Sequence, residues 1–182
     1  MRKSRSLNFA VLMLAGWLAQ PAASAAAEET IGGRYRIGDA GATVTDLKTG
    51  LVWQRCEFGR QWSGGRCTGN VRTFNWEQAT AVRSDLGGAT DWRLPDKDEL
   101  KSIVHCSNGA AAPLPDRVPC GGGARSPALH ADAFPDATAS NAWSSSSHEF
   151  SPDVAWVIVF GPGYAYYYSK LNGYAVRLVR GR

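Results

Sequence analysis

The sequence predicts an α+β domain: antiparallel strands, two short central helices, long loops and a C-terminal β-meander. Three observations carry this reading. Short alternating apolar runs separated by glycine turns open the chain, two capped helical stretches occupy its middle, and β-prone aromatic and branched runs close it.

Taken in order, Tyr35 and Ile37, then Val44, alternate around the turn Gly38-Asp39-Ala40-Gly41, which is a hairpin pattern. Lys48-Thr49-Gly50 supplies the next turn and leads into Leu51-Val52-Trp53, so a short meander should end at Cys56. Asn75 with Gln78 three positions on is a capping-box variant, and Trp76, Ala79, Val82 and Leu86 then share one helical face up to Gly87-Gly88. A second helix follows Pro95. Asp96 caps it, Glu99 completes the box, and Leu100, Ile103 and Val104 form its stripe to about Val104. From Ser107 to Ala128 the composition turns to Gly, Pro and Ala without a period, the pattern of a long surface loop. Three strands are expected to finish the chain as an antiparallel meander: Ala155 to Phe160, Tyr164 to Tyr168, and Tyr174 to Val179.

The 182 residues are 44% hydrophobic, with 20 Lys and Arg against 16 Asp and Glu, a balance that excludes disordered, collagenous and multi-span membrane proteins. Arg2, Lys3 and Arg5 precede an apolar run from Leu7 to Ala19 and the small triplet Ala23-Ser24-Ala25, the plan of a secretory signal peptide over 1–25. That leader carries three basic residues and no acidic one, so the rest of the chain is close to neutral and the basic excess is no sign of nucleic-acid binding. No run reaches the roughly 20 apolar residues of a membrane span. Residues 26–33 read as a flexible entry and 34–182 as a single domain, exported to the periplasm or beyond the cell.

Four cysteines follow the leader. In an oxidising compartment an even count favours disulfides over a zinc site, which the absence of any CxxC spacing also disfavours. Of three pairings, Cys56 with Cys67 and Cys106 with Cys120 is preferred, because each pair brackets a Gly-, Arg- or Pro-rich segment.

Catalytic chemistry is not evident. His105, His130 and His148 are scattered, Ser144 to Ser147 beside His148 lack a nucleophile elbow, and Gly121-Gly122-Gly123 opens no helix. Asp96, Asp98 and Glu99 fit helix capping, while Asp132 and Asp136 are a weak pair of ion ligands. No metal or cofactor is expected. What remains is binding surface: Arg55, Arg60, Arg66 and Arg72 surround the first cysteine pair, where guanidinium forks can hold sulfate, phosphate or carboxylate. Tyr164, Tyr166 and Tyr168 share one strand face, with Tyr167 on the other, and planar phenols suit sugar rings.

DWRLPDKDEL (91–100), DLKTGLVWQRC (46–56), NWEQA (75–79), AFPD (133–136), AWSSS (142–146), AWVIVF (155–160) and YAVRLVR (174–180) together resemble the C-terminal domain of the Legionella collagen-like protein. The resemblance spans nearly all of 34–181 and implies a C-type-lectin-like fold, related also to the formylglycine-generating sulfatase-modifying factors. It implies that Asp91, Trp92, Arg93, Leu94, Trp143, Arg177 and Arg180 are framework, and that a buried Arg93 or Arg177 needs a carboxylate, with Asp91 or Asp46 as candidates. For the namesake it also implies trimerisation and binding of sulfated glycosaminoglycans behind a collagen-like stalk. This chain has no Gly-X-Y repeat, no lectin calcium triplet (Glu-Pro-Asn, Gln-Pro-Asp or Trp-Asn-Asp) and no cysteine after Cys120. The expected role is therefore an exported, non-enzymatic binding module for an anionic glycan or a surface partner. The rivals are a structural envelope or surface-assembly protein without a small ligand, and an enzyme distantly related to the sulfatase-modifying factors.

Overall fold

A computed structural model describes residues 30–181, so the expected signal peptide lies outside the described residues. The chain opens with β1 (Thr30–Ile31), β2 (Tyr35–Gly38), β3 (Thr43–Asp46) and β4 (Val52–Gln54), an antiparallel meander as the turn residues imply. Between β2 and β3, Asp39 and Ala40 sit at positive φ, and Thr43 Oγ1 donates to Asp39 Oδ2 at 2.9 Å to close the turn. Val44 pairs with Ile37 on one side and Trp53 on the other, and Val44 and Trp53 are fully buried.

The segment inside the first cysteine pair is ordered: β5 (Gln61–Ser63) and β6 (Arg66–Thr68) form a hairpin over Gly64-Gly65, both at positive φ. After β7 (Thr73–Phe74) come α1 (Trp76–Ala81) and α2 (Lys97–Ser102), each started by the expected capping box, Asn75 with Gln78 and Asp96 with Glu99. α1 is shorter than its apolar face predicts. Val82 is already extended, and Ser84 Oγ accepts from Leu86 N to begin a separate turn, a local bond that competes with the helix. α2 likewise stops at Ser102, with Ile103 and Val104 buried just beyond it.

The remaining strands are β8 (Asn141–His148), β9 (Ser151–Val159), β10 (Tyr164–Ser169), β11 (Tyr174–Ala175) and β12 (Val179–Arg180). Here the expected closing meander is corrected. β9 and β10 do form a hairpin, but the third run does not lie beside β10. Its first part, β11, pairs in parallel with β8 and antiparallel with β7, and its last part, β12, crosses to the first sheet beside β4. The orders are β1-β2-β3-β4-β12 and β10-β9-β8-β11-β7. The crossing segment buries Val176, Arg177 and Leu178 where the sheets meet, burial that an outer meander strand would forgo. Ser144 to Ser147 lie within β8, where Ser144 is fully buried and its hydroxyl donates to Trp156 O at 2.9 Å.

Two apolar clusters result, one around Trp53, Leu100, Ile103, Phe134 and Ile158, the other around Trp92, Trp143, Val157, Val176 and Leu178. The domain is thus mostly antiparallel β with two short helices.

Candidate functional site

The first cysteine region is built from the inside outward. Cys56 and Cys67 are bonded, with S–S 2.05 Å, and tie β6 to the chain just after β4; Cys106 and Cys120 form the second bridge, so both preferred pairings stand. Beside the first bridge lies Glu57, only 5% exposed. Its carboxylate accepts from Thr138 N at 2.8 Å and Thr138 Oγ1 at 3.1 Å, and lies 3.4 Å from both Arg177 and Arg60. Burial opposes its ionisation, but Arg177 and the Thr138 bonds prevail and hold its pKa below the ordinary 4.5.

Arg177 is 1% exposed and donates to Gln54 O and Arg55 O at 3.1 and 2.7 Å. Its carboxylate partner is Glu57, not Asp91 or Asp46. Arg93 finds Glu99, with two 2.7 Å bonds, Asp46 is held by Arg34 at 2.9 and 2.5 Å, and Asp91 lies exposed, 3.9 Å from Arg180. Trp92, Leu94 and Trp143 are buried, both indole N–H groups donate to backbone carbonyls, and Arg180 covers the Trp92 ring.

The four arginines of the expected binding set divide. Arg55 is corrected from surface to interior: it is 6% exposed and donates to the carbonyls of Gly41, Asp132 and Ala133. Burial pulls its pKa down, yet a guanidinium remains charged. Its plane lies 4.2 Å from the Trp62 ring, whose N–H donates to Ala40 O, so Trp62 is fixed on two sides. Arg60 is part buried, donating to Asp136 O and Cys67 O at 2.5 Å each. Those carbonyl bonds also give Asp132 and Asp136 their roles, and Asp136 Oδ2 accepts from Cys67 N at 3.0 Å. Arg66 and Arg72 are exposed, Arg66 with one 3.5 Å approach to Asp136 and Arg72 over the Phe74 ring.

Between this hairpin and the turn after α1 lies a groove of about 550 Å³. Trp62, Phe58 and Leu86 give it apolar walls, Arg60 and Arg72 a cationic side, and Asp85 a single acid. Gln54 Nε2 donates to Ser84 Oγ at 2.8 Å along it. Gly59, at φ +99, is required: a Cβ there would meet Arg72 Cγ at 2.5 Å. Trp62, Asp85 and Gln54 were not singled out in the sequence. Of these only Trp62, an aromatic in a Gly-flanked hairpin next to arginines, offers a local signal.

The tyrosine face does not join the groove. Tyr164, Tyr166, Tyr167 and Tyr168 are all half-buried, so the strand does not split into a packed and an open set. Tyr168 packs on Tyr174, Tyr167 on Trp156 and His148, and Arg117 lies over Tyr166 and Tyr167.

Two mostly antiparallel sheets that hold an arginine-sided groove at a disulfide-pinned hairpin define an α+β domain with a built surface recess. Residues 42–180 match the Lcl C-terminal domain, and the chain belongs to that family. No curated protein matches it. Among the described residues, no helix is long and apolar enough to cross a membrane.

Proposed function

We propose that the protein is an exported, non-enzymatic binding module of C-type-lectin-like architecture whose groove takes a sulfated or carboxylated glycan group. The observation that carries the reading is that the exposed Arg72 lines a recess walled by Trp62, beside Arg60, whose own donors are spent on the hairpin. Guanidinium forks match sulfate and carboxylate oxygens, and an indole offers a flat apolar surface to a sugar ring. Two disulfides and the leader-like first 25 residues support export, since such bridges persist in oxidising compartments.

The test is binding of the oxidised protein to sulfated and neutral polysaccharides across a salt series, with Arg72→Ala and Arg66→Ala beside wild type. Arg60 is a poor probe because its bonds to Cys67 and Asp136 hold the hairpin. Binding confined to sulfated chains should weaken as salt screens the ion pairs, and Arg72→Ala should cost about tenfold in affinity, or about 1.4 kcal/mol. Wild-type protein that binds none of them would sink the glycan reading and favour an envelope or surface-assembly role.

A further inference from the structure

Away from the groove, two of the three histidines that the sequence scatters are brought together. The rings of His105 and His130 lie 5.2 Å apart at 45°. Both are held by backbone: His105 N donates to Ala128 O at 2.9 Å, and His130 O accepts from Ala133 N and Phe134 N at 3.1 and 2.9 Å. His130 Nδ1 is sealed from water yet has no hydrogen-bond partner, and the same is true of the Tyr35 hydroxyl, whose ring meets that of His130 edge-on at 6.1 Å. Buried polar atoms are nearly always satisfied, so His130 Nδ1 calls for a partner that the described residues do not supply.

We propose that His105 and His130 bind a divalent transition-metal ion, zinc or copper, with Tyr35 beside the site. The ring geometry fits. With metal–nitrogen bonds of about 2.0–2.1 Å, the ion lies about 3.2 Å from each ring centre, and a tetrahedral angle then separates the centres by about 5.2 Å. Neutral imidazole is a preferred ligand of these ions. Burial, then His130 and Arg34, lower the His105 pKa, which keeps the ring in its neutral, ligating form below the usual 6.5. Arg34 is the neighbouring cation, and its charge is offset by the two bonds to Asp46. Among the described residues no third His, Cys, Asp or Glu joins the pair. His105 is the exposed member of the pair and His130 Nδ1 its buried one. The site shares none of the residues that line the groove, so it stands whether or not the glycan reading does.

Titrating the purified, oxidised protein with zinc or copper chloride, without polysaccharide, tests this by calorimetry and by the histidine imidazole resonances. One saturable ion per chain is expected, with His105 and His130 resonances moving and those of His148 still. His105→Ala removes an exposed side chain, so the fold should persist while affinity falls at least tenfold; His130→Gln should do the same, and His148→Ala should bind as wild type. No saturable binding, binding that survives His105→Ala, or resonances that stay fixed because a water fills the space would each overturn the proposal. If His130→Gln fails to fold, the His105→Ala result decides.

Discussion

Arg55 and Arg177 on one side, and Arg66 and Arg72 on the other, are the same residue type put to opposite uses. The inner pair is 6% and 1% exposed, and its donors reach backbone carbonyls and Glu57. Among the described residues, the side chains of the outer pair share a 3.5 Å ion pair and a ring contact. The inner arginines join distant segments: Arg55 links the turn at Gly41 to the 132–133 loop, and Arg177 links the end of β4 to Glu57. They form the frame on which Trp62 and Arg60 are held. Only the outer ones keep donors facing solvent, so rigidity and recognition reside in different members of one arginine-rich set.

The comparison is tested hardest at Glu57. Glu57→Ala leaves Arg177 buried without its carboxylate, and should cost about 3–5 kcal/mol in chemical denaturation, the usual penalty for stranding a buried charge. A loss below about 1 kcal/mol would mean that the backbone carbonyls alone satisfy Arg177. The same carboxylate sets an acid limb. Its folded pKa is depressed, so its contribution is fully present above the ordinary 4.5 and is lost as pH falls through the folded value. Asp46, depressed by the Arg34 bonds against burial, acts in the same direction below 3.8. Stability should therefore fall on acidification below about pH 4.5, and Glu57→Gln should flatten that limb if the protein folds.

Next in size is the hairpin bridge. Cys56→Ser with Cys67→Ser should cost about 2–3 kcal/mol through loop entropy and should loosen the groove, while the second bridge stays intact. Thermal unfolding and peptide mapping check both. Smaller again is Asp96→Ala at the start of α2, about 1 kcal/mol for the lost cap. Asp96 is exposed, so any larger loss would show that Glu99, released from the box, also weakens its bonds to Arg93.

How much of this was legible follows from how local each feature is. Both capping boxes, the β2-β3-β4 meander and the β9-β10 hairpin are written within a few residues, and all were readable. The partners of Arg177 and Arg93 were not, because a carboxylate's identity as partner depends on which strands become neighbours. Period-two alternation marks 174–179 as extended, but says nothing about β11 lying beside β8 or β12 beside β4. The burial of Arg55 escaped for a related reason: spacing around a cysteine pair shows where charges cluster, and only the path of the 132–138 loop across them decides which are covered. His105 and His130 were read as scattered because the loop that joins them has no period to follow.

The smallest expected effect on stability is the sharpest test of the division. Arg66→Ala and Arg72→Ala remove exposed side chains whose contacts are screened, and each should change stability by no more than about 0.5 kcal/mol. If the outer arginines serve recognition, Arg72→Ala must lower glycan affinity while the unfolding midpoint stays still. Arg66→Ala should cost less, because Arg66 lies outside the groove and is already turned toward Asp136. A substitution that lowers stability and affinity together would place Arg72 in the frame with Arg55, since the Gly59 approach and the Phe74 contact would then be holding the hairpin rather than aiming a charge.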